Sequence, residues 1–190
     1  MVEDKQLIRQ VLKGNRHAFQ QLVERYQNYA FTIALRIVHS REEAEEVAQD
    51  AFLKVYQQLG TFEDKSKFST WLYTIVYRTA IDHTRRRRLN AYSLDDDDAY
   101  LQLADDPGAA PAEALHREDL REQLSIAIKR LKPVDGSIVT LFYLNDASIK
   151  EIAEITELSV SNIKTRLHRL RETLRRVLSR QLQSEIEDLL

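Results

Sequence analysis

The sequence predicts an all-α protein made of two helical units joined by a flexible acidic linker, and three observations carry that expectation. The 190 residues include only 4 Gly and 3 Pro, so long stretches run without a backbone breaker. Apolar residues recur at spacings of three and four, the period of a helix with one buried face. Ser40 with Glu43, and Ser148 with Glu151, form the S-x-x-E pattern that starts helices by reciprocal side-chain and backbone bonding.

Residues 3–13 form a short helix ending at Gly14, with Asn15 capping the next one, which runs unbroken to about Val38. Behind Ser40, the residues Ala44, Val47, Ala48, Ala51, Phe52, Val55 and Leu59 make one buried stripe, and Gly60 ends the helix. Thr61 to Lys67 reads as a loop. A fourth helix buries Phe68, Trp71, Leu72 and Ile75, then reaches Arg85-Arg86-Arg87-Arg88, where like-charge repulsion is expected to end the packed structure. Residues 1–89 thus form the first unit.

Residues 90–117 hold Asp95 to Asp98, Asp105-Asp106-Pro107-Gly108 and an Ala/Pro stretch, with little to bury, and read as a linker. The four aspartates lack the alternation of a calcium loop, and Tyr100 stands where its sixth-position Gly would be. The second unit covers 118–182. Leu120 to Leu131 is helical, Lys132-Pro133 marks a boundary, and Ile138, Val139, Leu141 and Phe142 supply core. The tail, 183–190, extends the last helix or frays.

The most informative stretch follows. Ser148 opens a helix that buries Ile149, Ile152 and Ala153. Thr156-Glu157-Leu158 is a tight connection, and Ser159 caps a final helix with the stripe Val160, Ile163, Leu167, Leu170, Leu174 and Val177. At about 100° per residue, Ser161, Asn162, Thr165, His168 and Arg169 face the other way, flanked by Lys164 and Arg166. Short polar groups and Arg suit base edges, and flanking cations suit phosphates, as on a recognition helix in the major groove. Glu157 stands where such turns usually want Gly.

A formal net charge of −2 hides segregation. Residues 61–89 carry seven basic and three acidic side chains, 90–117 one and seven, and 159–180 seven and one. Two basic segments around an acidic one suit two nucleic-acid contacts. With no Cys, disulfides, thiolate metal sites and thiol nucleophiles are excluded. The polar start, Met1 to Lys5, is not signal-peptide-like, and no apolar run suits a membrane span, so a cytoplasmic protein without membrane insertion is expected.

Together these blocks resemble the extracytoplasmic-function (group 4) sigma factors of bacterial RNA polymerase. Ala44 to Phe52 resembles the helix that grips the polymerase clamp. Phe68 to Ile75, continuing to Asp82-His83-Thr84-Arg85, resembles the segment that opens and captures the −10 element. Ser148 to Ile155 with Ile163 to Arg169 resembles the −35 reader. The resemblance implies core polymerase (clamp and flap), promoter DNA and an anti-sigma factor as partners. It implies polymerase binding by Glu46, Gln49, Asp50 and Lys54. It assigns −10 contacts to Lys65, Ser66, Lys67, Arg78, Thr79, Asp82, Arg85 and Arg86, with Lys65 to Lys67 forming a basic loop for an extruded base. It assigns −35 contacts to Ser161, Asn162, Lys164, Thr165, Arg166, His168 and Arg169. The family often has Asn where Thr79 stands. Trp71 lies on the apolar stripe and reads as core. Tyr73 and Tyr77 suit either packing or DNA. The acidic connector resembles the one that threads the polymerase channel for nascent RNA, or is a plain tether.

No cofactor or metal is expected, and no enzyme. The four glycines stand far apart, so no phosphate loop forms, and no HExxH occurs among the five histidines. Two other classes share these features. A stand-alone helix-turn-helix regulator would bind DNA tightly without polymerase, with a steep salt dependence. A protein-binding helical adaptor would tolerate loss of Lys164 and Arg169.

Overall fold

The computed structural model describes residues 2–92 and 131–188. Among them are seven α-helices and no strand: α1 (Val2–Leu12), α2 (Arg16–Val38), α3 (Arg41–Gln58), α4 (Phe68–Tyr92), α5 (Pro133–Tyr143), α6 (Ile149–Thr156) and α7 (Val160–Asp188). The acidic linker beyond residue 92 and the helix expected over Leu120 to Leu131, up to residue 130, lie outside the described residues.

Local chemistry sets most of the helix starts. The Asn15 side chain accepts from the backbone N–H groups of His17 and Ala18, after a turn in which Gly14 takes φ +92°. Lys132 precedes α5, and Pro133 occupies its first turn, where a missing N–H costs nothing. Ser148 and Glu151 make the complete reciprocal cap of α6. The cap at Ser40 is only half of what the sequence suggests. Its hydroxyl accepts from the Glu43 N–H at 3.4 Å, while the Glu43 carboxylate turns away to Arg87 at 2.6 Å. Gly60 is likewise no left-handed cap; α3 ends at Gln58 and passes into a 3-10 turn, Leu59–Thr61.

The stripe expected on α3 is buried throughout, from Ala44 to Leu59. On α4, Phe68 and Leu72 are buried and Trp71 is half-buried against Phe62 and Phe68, at ring separations of 5.4 and 5.9 Å. Tyr73 and Tyr77 are buried too, so both pack rather than face solvent. Burial raises the pKa of each phenol.

Helix α4 does not stop at the arginine run but continues to Tyr92. Successive side chains on a helix diverge by about 100°, so four arginines need not crowd one another. Arg87 reaches back to Glu43, while Arg85 and Arg86 stand in solvent.

The two helical units that the sequence predicts are in contact: α2 packs on α5, and α4 packs on α6, so the buried clusters of both merge into one core. Gly136 stands at the contact between them: a Cβ placed there would lie 3.6 Å from Arg36 Cβ, an ordinary van der Waals distance. The fit is imperfect in its polar groups. Arg36 Nε is buried without a hydrogen-bond partner, and so are both amide atoms of Asn145. The Asn145 amide lies beside the Tyr73 hydroxyl, close enough to oppose the effect of burial on that phenol, without completing a hydrogen bond of good geometry. Each buried group left unpaired costs about 1–3 kcal/mol.

Candidate nucleic-acid interface

The helix-turn-helix is α6, the turn Glu157-Leu158-Ser159, and α7. Glu157 takes the left-handed conformation, φ +59°, that glycine usually supplies, a strain of about 1–2 kcal/mol for an L-residue. Ser159 Oγ accepts from the Asn162 N–H at 3.2 Å and starts α7. Ile163, Leu167 and Leu170 are buried, but Val160, on the expected stripe, is 39% exposed. It stands in the first turn of α7, ahead of the buried positions. The side chains of Leu174 and Val177 lie outside the described set.

Opposite that stripe, Ser161, Asn162, Lys164, Thr165, His168 and Arg169 are all exposed. Arg166 is only half-exposed: its Nη1 meets Asp135 at 2.6 Å, and its Nε donates to Asn162 Oδ1 at 2.7 Å. Six of the seven side chains expected to read DNA here therefore share one open face. Arg166 braces α7 against α5.

A second polar surface runs along α4. Arg78, Asp82, Arg85 and Arg86 are exposed and spaced i, i+4, i+7 and i+8, which puts them in one row. Thr79 stands apart from that row. It is 5% exposed, and its hydroxyl accepts from Lys54 Nζ at 3.1 Å, joining α3 to α4.

At the start of α4, Lys65, Ser66 and Lys67 line a cavity of about 240 Å³ that α1 closes with Asp4, Lys5 and Ile8. That is below the roughly 300–1,000 Å³ of small-molecule pockets, so it suits one base-sized group at most. Lys5 ties α1 to the loop through Asp64, at 2.5 Å. Asp4 anchors α1 on α2, accepting from Arg25 at 2.5 Å and from the Tyr26 hydroxyl at 3.0 Å. Sequence reasoning gave α1 no part in this cavity. Its signal, a Lys that pairs 59 positions along the chain, has no local pattern.

Two cations of this surface already have partners on α6 and in the turn that follows it. Lys67 Nζ lies 2.8 Å from Glu151 Oε1, and Thr70 Oγ1 donates to the same oxygen at 3.4 Å. Arg78 places Nε and Nη2 at 2.7 and 2.6 Å from Glu157 Oε1. Partial burial disfavours the Glu151 anion. The hydrogen bonds from Lys67 and from Ser148 outweigh that and hold its carboxyl at about 2.

A third surface lies on α3, where Glu46, Gln49 and Asp50 are exposed off the buried stripe. Leu53 and Tyr56 continue this row at 60% and 45% exposure. Sequence reasoning passed over both, although a Leu and a Tyr on the polar side of an amphipathic helix leave apolar surface in contact with water. Lys54 is half-buried and turned to Thr79. Among the described residues no cluster suits a metal ion and no helix is long and apolar enough to cross a membrane.

Comparison with known proteins gives these surfaces a context. Residues 22–89 match the family model for Sigma-70 region 2, and residues 121–174 that for Sigma-70 region 4. The chain is 34% identical over 181 residues to the ECF RNA polymerase sigma factor SigW of Bacillus subtilis, covering 92% of this chain and 96% of that protein. It is 32% identical over 176 residues to the ECF sigma-E factor of Escherichia coli K12, covering 90% and 92%. Among solved structures, it resembles the sigma factor RpoE of Bartonella quintana, crystallised with the anti-sigma factor NepR (TM-score 0.68, 21% identity, 85% of this chain and 96% of that one). It also resembles CnrH in complex with the cytosolic domain of CnrY (TM-score 0.65, 22% identity, 93% and 97%).

Proposed function

The chain belongs to the extracytoplasmic-function sigma factors of RNA polymerase, and from that premise we propose how its surfaces divide the work of promoter recognition. Residues 1–89 bind core polymerase and read and melt the −10 element; residues 118–182 read the −35 element; the acidic stretch 90–117 connects them, and 183–190 is a tail. The observation that carries this reading is the pair of separate polar rows, on α4 and on α7, each backed by an apolar stripe within a matching family region.

In this scheme Glu46, Gln49 and Asp50 meet the polymerase clamp, with Leu53 and Tyr56 adding apolar contact and Lys54 bracing α4 through Thr79. Arg78, Asp82, Arg85 and Arg86 contact −10 DNA, and Lys65, Ser66 and Lys67 receive an extruded base in the adjoining cavity. Ser161, Asn162, Lys164, Thr165, His168 and Arg169 face the −35 major groove, with Arg166 holding the helix in place. Strand opening by capture of bases needs no covalent step, so the protein is an initiation factor and not a catalyst. It works in the cytoplasm, where the polymerase is. Control by an anti-sigma factor is part of the proposal, supported by the NepR complex of a structural neighbour.

The test is binding to bacterial core polymerase by fluorescence anisotropy, wild type beside Asp50→Lys. Tight binding that the substitution abolishes supports the scheme. A folded wild-type protein that ignores the polymerase would sink it and return the helix-turn-helix to the stand-alone class.

A further inference from the structure

Asn162 stands in the first turn of α7, where a recognition helix brings side chains to base edges. Half of its amide is already engaged within the chain. Arg166, one turn on, donates from Nε to Asn162 Oδ1 at 2.7 Å. The same guanidinium donates from Nη1 to Asp135 Oδ1 at 2.6 Å, and Asp135 belongs to α5, which packs against α7. We propose that Asp135, outside the recognition helix, is a specificity-determining positioning residue: through Arg166 it presets the Asn162 amide as a hydrogen-bond donor to the −35 bases. The inference rests on the assignment of α7 to the −35 major groove.

Each link follows from donor and acceptor chemistry. A guanidinium carries donors only, so the amide must turn its oxygen, not its nitrogen, toward Arg166. The amide nitrogen lies on the other side of Cγ, and among the described residues nothing accepts from it. The group left for DNA is the N–H2. Because the guanidinium is a rigid planar fork, fixing Nη1 also fixes the direction of Nε. Asp135 does this from a sheltered place. The Asp135 and Arg166 side chains are 18% and 33% exposed, and salt screens such a pair less than one in open solvent.

The consequence is a choice between base pairs. An unconstrained asparagine reads adenine with both ends of its amide, donating to N7 and accepting from the N6 amino group. Here the oxygen is committed to Arg166, and that mode loses its acceptor. Guanine presents two neighbouring acceptors, N7 and O6, which suit the outward N–H2. The pair read by Asn162 should therefore be G·C, whereas residue type alone would assign it to A·T.

The test uses core polymerase carrying the full-length chain, incubated with double-stranded DNA randomised through both promoter elements, and the retained sequences are read. Asn162→Ala marks the −35 position whose preference disappears. There, wild type should favour G·C over A·T by about tenfold, within the range of one base contact. Asp135→Ala removes the anchor and should lower that ratio by about threefold or more, the effect of one weakened hydrogen bond, while other −35 positions keep their preferences. Asp135→Asn keeps an oxygen for Arg166 Nη1 and should restore most of the ratio. Asp135→Ala/Arg166→Met leaves no unpaired charge, frees the Asn162 oxygen and should turn the preference to A·T. Far-UV circular dichroism checks the fold of each variant.

An A·T preference in wild type overturns the proposal. So does a double variant that keeps the wild-type ratio, or an Asp135→Ala protein that loses selectivity at all −35 positions alike, as a residue that merely held α5 on α7 would. Arg169→Ala separates the causes. If it alters a −35 preference and Asn162→Ala alters none, the relay is wrong while α7 still reads DNA. If neither alters any, the −35 assignment falls and takes the proposal with it.

Discussion

Truncating Ile152 to Ala should be felt at Trp71, on the other side of the seam. Ile152 is fully buried on α6, which packs against α4. Loss of such a side chain costs about 2–5 kcal/mol, from transfer of the removed atoms and the cavity they leave; about 3 kcal/mol is a fair central value. With a urea slope near 2 kcal/mol/M for a protein of this size, the unfolding midpoint should fall by about 1.5 M. Trp71 is the sole tryptophan, sits on α4 against Phe62 and Phe68, and reports on the first unit alone. If both units share a core, unfolding either strips the other of apolar cover, and Trp71 fluorescence and far-UV circular dichroism should move together. A Trp71 transition that keeps its wild-type midpoint while part of the helical signal melts earlier would refute the shared core.

Three further outcomes are expected. Gly136→Ala should stabilise the protein by about 0.5–1 kcal/mol in the same urea assay, because the site is helical and the new methyl meets Arg36 at 3.6 Å, ordinary contact. Destabilisation would mean the seam cannot accept even one carbon. The Glu151 carboxyl, lowered from 4.5 to about 2, should add stability that is complete above its unfolded value and lost as pH falls through the folded one, with a ceiling of about 3 kcal/mol. The check is the wild-type minus Glu151→Gln difference in urea midpoint, which should shrink between about pH 5 and about pH 2; a flat difference contradicts the Lys67 and Ser148 bonds as its cause. Finally, Arg169→Ala should weaken promoter binding by the polymerase complex by about 1–3 kcal/mol and relax preference at one −35 position. Uniform weakening across sequences would instead make Arg169 a phosphate contact.

Much of this was legible because it is written in short-range pattern. Asn15, Ser148 and Ser159 cap helices through N–H groups two or three residues away, and the α3 stripe repeats within a few turns. Failures came where distant residues decide. Glu43 leaves its expected partner for Arg87, 44 positions on. Arg78 meets Glu157 across 79 positions. Nothing local reveals that Gly136 stands against Arg36, 100 positions away. The open face of α7 could be read from helical phase alone. That Thr79 lies inward beside Lys54 could not, since threonine is at home on either side of a helix.

The unbroken course of α4 makes it a ruler. At about 1.5 Å per residue, its exposed row from Arg78 to Arg86 spans about 12 Å, some three to four nucleotide steps at about 3.4 Å each. No hinge among these residues adjusts that length, so the tread of the row is fixed by helical pitch and not by the DNA. One added residue between Asp82 and Arg85 would swing the later arginines a quarter-turn away, whereas four would restore their bearing about 6 Å further along.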